Sequence, residues 1–85
     1  MNFDLSEHVY ERLEVRDIPL QVLQLLLEAP EQILEQGDGT KVYQSKFVAG
    51  NGKTYLLRAF VNDNVNPHRV ISLYKTSKIR KYWRE

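Results

Sequence analysis

The chain has 85 residues, an apolar content of 42%, a formal net charge of +1 at pH 7 and no cysteine. Those values allow one folded domain with a modest core. They exclude wholesale disorder, a disulfide scaffold and thiolate metal sites. The near-neutral total conceals a polarised chain, because residues 1–42 carry nine acids and three bases while residues 43–85 carry nine bases and two acids.

The opening Met1-Asn2-Phe3-Asp4 lacks a basic region followed by an apolar run, so no signal peptide is expected. The longest apolar-rich stretch, Leu20 to Leu27, falls far short of the ~20 residues that span a bilayer. A cytoplasmic protein with no membrane partner is therefore the expectation. Asp4 or Ser6 can cap a first helix, and Asp4 with Glu7 reads as a capping box. Leu5, Val9 and Leu13 form its apolar stripe, with Glu7, Glu11 and Glu14 opposite. Pro19 suits the first turn of a second helix over residues 19–28. Leu20, Leu23, Leu26 and Leu27 share one face there, and Val22 and Leu25 widen it. A helix apolar over so much of its girth calls for cover on two sides, by a sheet and by the first helix or a second subunit.

After Pro30 the apolar period changes to two. Residues 31–36 read as a short strand, 37–39 as a turn and 41–49 as the next strand. Gly50-Asn51-Gly52 holds the Asn-Gly pair of tight hairpins. Residues 53–62 form the longest strand, a loop follows at 63–67, and 68–75 is the last strand, with the tail as an extension or a short helix. Two helices followed by about four hairpin-connected strands predict a single α+β domain over residues 1–85. In it the two N-terminal helices pack on one face of an antiparallel sheet.

Three groups of residues carry chemistry. On the first helix His8, Arg12 and Arg16 are spaced four apart, and the arginines fall within the span of the apolar stripe. In one reading they cap carbonyls or pair with acids such as Asp17 or Glu35, with His8 packed near the helix start. In the other the helix edge opens on a cleft where His8 moves protons and the arginines bind an anion. On the longest strand, alternation separates Leu57, Ala59 and Val61 from Leu56, Arg58 and Phe60. Arg58 then belongs to the open face, with Ser72 and Tyr74 of the last strand, while Ile71 and Leu73 point to the core. In the tail, Lys75, Lys78, Arg80, Lys81 and Arg84 interleave with Tyr74, Tyr82 and Trp83. Such a surface suits phosphates and bases, or an acidic protein. No glycine-rich phosphate loop, paired-histidine metal spacing or serine–histidine elbow occurs, so neither cofactor nor metal is expected.

The run from Leu5 to Leu20, with Pro30 closing the second helix, resembles a bacterial small-domain family catalogued as a domain of unknown function. Its pattern is a histidine, an arginine four residues on, a second arginine before a short turn with isoleucine, and a helix ending at proline. His8, Arg12, Arg16, Ile18 and Pro30 occupy those places, and Val70 to Thr76 resembles the family's last strand. That family is similar in fold to RelE, ParE and BrnT toxins. The resemblance implies a ribonuclease-type toxin with a protein antitoxin, or a relative that has lost the activity. The RelE catalytic motif does not align here, so no position transfers from it, and shared fold does not settle function.

The leading expectation is an RNA-binding, toxin-like domain working as a metal-independent endoribonuclease. Arg58, Arg12 and Arg16 would stabilise the phosphorane and His8 or Tyr74 would move protons. Lys75, Lys78, Arg80, Lys81 and Trp83 would hold the strand. The rival is a non-enzymatic interaction module that receives an antitoxin-like or other acidic partner. A homodimer through the leucine face of the second helix is the third.

Overall fold

In the computed structural model, which describes residues 2–85, eight elements alternate about one sheet. They are β1 (Phe3–Leu5), α1 (Glu7–Val15), α2 (Leu20–Glu28), β2 (Gln32–Glu35), β3 (Lys41–Val48), β4 (Thr54–Asn62), β5 (His68–Thr76) and α3 (Ile79–Tyr82). The strand order is β1-β5-β4-β3-β2. Strands β2 to β5 pair antiparallel through hairpins, as expected from the turn residues. The sheet is nevertheless mixed and five-stranded, because β1 pairs parallel with β5, setting Phe3 beside His68 and Leu5 beside Val70.

That added strand corrects the reading of the N-terminus. Leu5 belongs to β1 and not to the helix stripe, and Ser6 alone is the cap, its hydroxyl accepting from the Val9 N–H at 3.3 Å. Asp4 instead pairs with Arg69 across the strand boundary. Helix α1 ends where Asp17 adopts φ 54°. The Ile18 N–H bonds the Leu13 carbonyl at 2.8 Å and the Asp17 N–H bonds that of Glu14 at 3.2 Å, the paired bonds of a Schellman stop. Leu13 and Ile18, joined by that stop, are both core residues.

The core lies between the sheet and the first two helices. Val9, Leu13, Leu23, Leu26 and Leu27 meet Tyr43, Leu57, Ala59, Val61, Val70 and Leu73 there. Each fully buried leucine or valine contributes roughly 1.5–3 kcal/mol over its exposed state. The leucine face of α2 is thus largely covered by its own sheet, leaving Leu25 exposed and Leu20 at the margin. A bulge at Phe60/Val61 shifts the β4–β5 register, so Val61 pairs with Val70 and Phe60 with Ser72. This moves Val70 to the core and leaves Ile71 exposed, where simple alternation had expected Ile71 inside.

The third helix is the tail, and it packs on the sheet face opposite α1 and α2. That face was expected to be open, with a return of Trp83 onto the sheet as the alternative. Leu56 and Val42, both on it, are fully buried. No helix among the described residues is long and apolar enough to cross a membrane.

Candidate nucleic-acid interface

Hairpin register aligns one polar row across four strands on the tail-covered face. Gln32 pairs with Gln44, Gln44 with Arg58, and Arg58 with Tyr74. Opposite residues in a sheet share a face and sit within reach of each other, and this row is hydrogen-bonded along its length. Arg58 Nε donates to Gln44 Oε1 at 2.9 Å, and Arg58 Nη1 donates to the Tyr74 hydroxyl at 2.6 Å. Gln44 Nε2 donates to Gln32 Oε1 at 2.7 Å.

The tail closes over the row. The Tyr82 ring covers the Arg58 guanidinium at 4.3 Å, and Lys46 Nζ stands 4.0 Å from the Trp83 ring. Gln44 Nε2 reaches the Tyr82 carbonyl at 3.2 Å. The Gln32 carboxamide grips Arg84 twice, donating to its carbonyl at 2.6 Å and accepting from its N–H at 3.1 Å. Helix α3 has only four residues and no side-chain cap, so these polar contacts and the two cation–π pairs hold the tail in place.

Arg58 is therefore 8% exposed, among neutral hydrogen-bond partners. A buried guanidinium ordinarily meets a carboxylate. Among the described residues the ion pairs are Lys41 with Glu35 at 4.0 Å, Lys41 with Asp63 at 2.5 Å, and Arg69 with Asp4. None includes Arg58 or a tail base. Lys78, Arg80, Lys81 and Arg84 are exposed, with Lys75 half-buried against the Tyr55 ring at 4.9 Å. The tail face thus carries a positive charge that its own acids leave uncompensated, the condition for attracting an anionic polymer.

Tyrosine chemistry differs across the face. Burial holds the Tyr74 hydroxyl above the ordinary tyrosine range, against the opposing pull of its bond from Arg58. Tyr82 is held below that range by the Tyr74 hydroxyl beside it and by Lys81. Phe60 stacks on Tyr74 at 6.0 Å, and Tyr82 meets Tyr74 edge-on at 6.1 Å.

The residues expected to form one catalytic cluster are divided by the sheet. Arg58 and Tyr74 adjoin. His8 and Arg12 form their own pair on α1, Arg12 Nε lying 3.4 Å from His8 Nε2. Helix α1 packs on the other face through Val9 and Leu13, against residues that alternate with Arg58. Arg16 caps the helix end and is exposed. Of the binding set, Trp83 and the bases Lys78, Arg80 and Lys81 belong to the tail, beside the Arg58 row, whereas Lys75 pairs with Leu57 and lines the cleft beside α2 with Asp17, Pro19 and Val22, on the other face of the sheet. Clefts of about 290 Å³ and 220 Å³ open beside α2, and neither is lined by His8, Arg12 or Arg58. Gln32 and Gln44, the residues that orient Arg58 and hold the tail, were not among the expected site residues. Their only signal in the sequence was that they share a strand face with Leu34 and Val42.

No protein-family model matches the chain, and neither a curated protein nor a solved structure matches it.

Proposed function

We propose that this chain is an RNA-binding domain of the toxin-like kind, gripping a single strand on the face formed by the tail and the Arg58 row. Lys78, Arg80 and Lys81 hold phosphates there, and Trp83 offers a flat surface for a base. The observation that carries the reading is the charge of this face, namely Arg58 buried without a carboxylate inside a rim of bases that make no ion pair. Cytoplasmic RNA is the partner, and no cofactor is needed to bind it.

The geometry favours holding RNA over cutting it. A base for the ribose hydroxyl has to be deprotonated near neutral pH. Tyr74 is pushed the other way by burial, and its hydroxyl already accepts from Arg58. His8 and Arg12 belong to the opposite side of the sheet. Cleavage as an endoribonuclease would require the tail to leave Arg58 and another group to take the proton.

The test is incubation of purified protein with a structured RNA and a single-stranded RNA, followed on gels for both retention and chain scission. Retention of intact strand, lost when Lys78, Arg80 and Lys81 are replaced together by alanine, supports the binding domain. Scission that disappears in Arg58→Ala would restore the ribonuclease reading. Indifference to RNA, with tight co-purification of an acidic protein such as an antitoxin, would replace both by a protein-interaction module.

A further inference from the structure

We infer that the Tyr82 ring occupies, from within the chain, a nucleobase site walled by Arg58, Gln44 and Tyr74, which takes one carbonyl-bearing base of a bound RNA strand. This rests on the RNA-binding reading above and adds which base the face selects.

The stacking surface is already built. The flat guanidinium of Arg58 carries an aromatic ring at 4.3 Å, the arrangement in which arginine also stacks nucleobases. Tyr74 forms a side wall, its ring 6.1 Å from that of Tyr82 and edge-on to it. Two hydrogen bonds and burial fix the guanidinium, so the platform exists before any ligand arrives.

Hydrogen-bond direction then sets the preference. Gln44 is fully buried and its Oε1 is committed to Arg58 Nε, so its Nε2 faces away as a donor. One proton of that amide goes to Gln32 Oε1 at 2.7 Å, and the other reaches the backbone carbonyl of Tyr82 at 3.2 Å. When the tail withdraws, its carbonyl leaves with it, and the vacated position requires an acceptor. Uracil and guanine supply an exocyclic carbonyl oxygen, whereas adenine presents an amino donor at the equivalent edge. Gln44 cannot turn over to suit adenine without giving up Arg58. Withdrawal of the tail is feasible, because none of residues 77–85 belongs to the main apolar core.

Fluorescence anisotropy with end-labelled oligouridine and oligoadenosine of equal length tests the site, since equal length equalises the phosphate contribution. Oligouridine should bind about tenfold more tightly, the size of one base-edge contact. Gln44→Met should bring the ratio close to one. Should that buried substitution unfold the chain by circular dichroism, Tyr82→Ala decides. It removes the ring from the site and should tighten oligouridine severalfold with discrimination retained, whereas unchanged or weaker oligouridine binding overturns the inference. Equal affinities in the unaltered protein would also overturn it and leave RNA binding intact. Absence of binding to both strands would remove the RNA reading itself.

Discussion

Arg58 and Tyr82 lie face to face, guanidinium against ring at 4.3 Å, although β4 and the tail are separated by the whole of β5. The contact joins the centre of the sheet to the end of the chain. It makes one buried cation answerable to both the sheet and the placement of the tail.

Replacing Arg58 with methionine should keep much of the packing and remove the charge. Gln44 Oε1 and the Tyr74 hydroxyl would each lose their donor inside a covered face. Stability should fall by about 1–3 kcal/mol, the usual cost of leaving buried polar groups unmatched. Urea unfolding of the variant and the unaltered chain measures the difference, which should appear as a lower midpoint at a similar slope.

Gln32→Ala removes both bonds to Arg84 without touching the apolar core. The expected outcome is a tail that opens more often on a sheet of nearly unchanged stability. Trp83 is the single tryptophan, so its emission reports on the tail directly. The emission should move to longer wavelength in Gln32→Ala, with a thermal midpoint close to that of the unaltered protein.

Asp17 holds φ 54° at the end of α1, a conformation that glycine adopts freely and other residues adopt at a cost. Its side chain is exposed and makes no ion pair among those described. Asp17→Gly should therefore stabilise the fold, by about 0.5–1 kcal/mol after allowance for the freer unfolded chain. Thermal unfolding checks the sign, and a lower midpoint would mean that the carboxylate has a partner-like role at the helix end.

Lys41 and Asp63 are linked at 2.5 Å, and each moves the other. The bond from Lys41 holds Asp63 below the usual carboxylate range, and the bond to Asp63 holds Lys41 above the usual lysine range. Asp63 has its pKa depressed in the fold, so its contribution is present above the unfolded value and is lost as pH falls through the folded value. Lys41 has its pKa raised, so its contribution is present below the unfolded value and is lost as pH rises through the folded one. Stability measured against pH should decline on the acid side less steeply in Asp63→Asn than in the unaltered chain.

Much of this architecture was legible in the residues. Asn51-Gly52 with Gly52 at φ 82° makes the tight turn that joins β3 to β4, and Pro19 and Pro30 bracket α2. The parallel strand β1 was not legible, because three residues carry no periodicity and their partner lies on β5, far along the chain. The bulge beside Val61 was equally hidden, since alternation has no way to register an unpaired Ile71. The register set Arg58 and Tyr74 opposite each other, and that they share a face followed from alternation. The covering of Arg58 did not, because charge and aromatic content in a tail describe what it can touch and not where it folds. Gln32 and Gln44 escaped notice for a related reason. An uncharged amide on a strand looks like ordinary surface until hairpin register lines it up with a buried cation.

Salt dependence of single-stranded RNA binding tests the proposed charged face most directly. Counterion release from Lys78, Arg80 and Lys81 should make log K fall against log salt with a slope of about −2, from roughly −0.7 for each neutralised phosphate. Replacing one of these bases with alanine should make the slope shallower by about one such increment. Binding that is absent at low salt, or that persists with a slope near zero, would contradict an anion-gripping face on the tail.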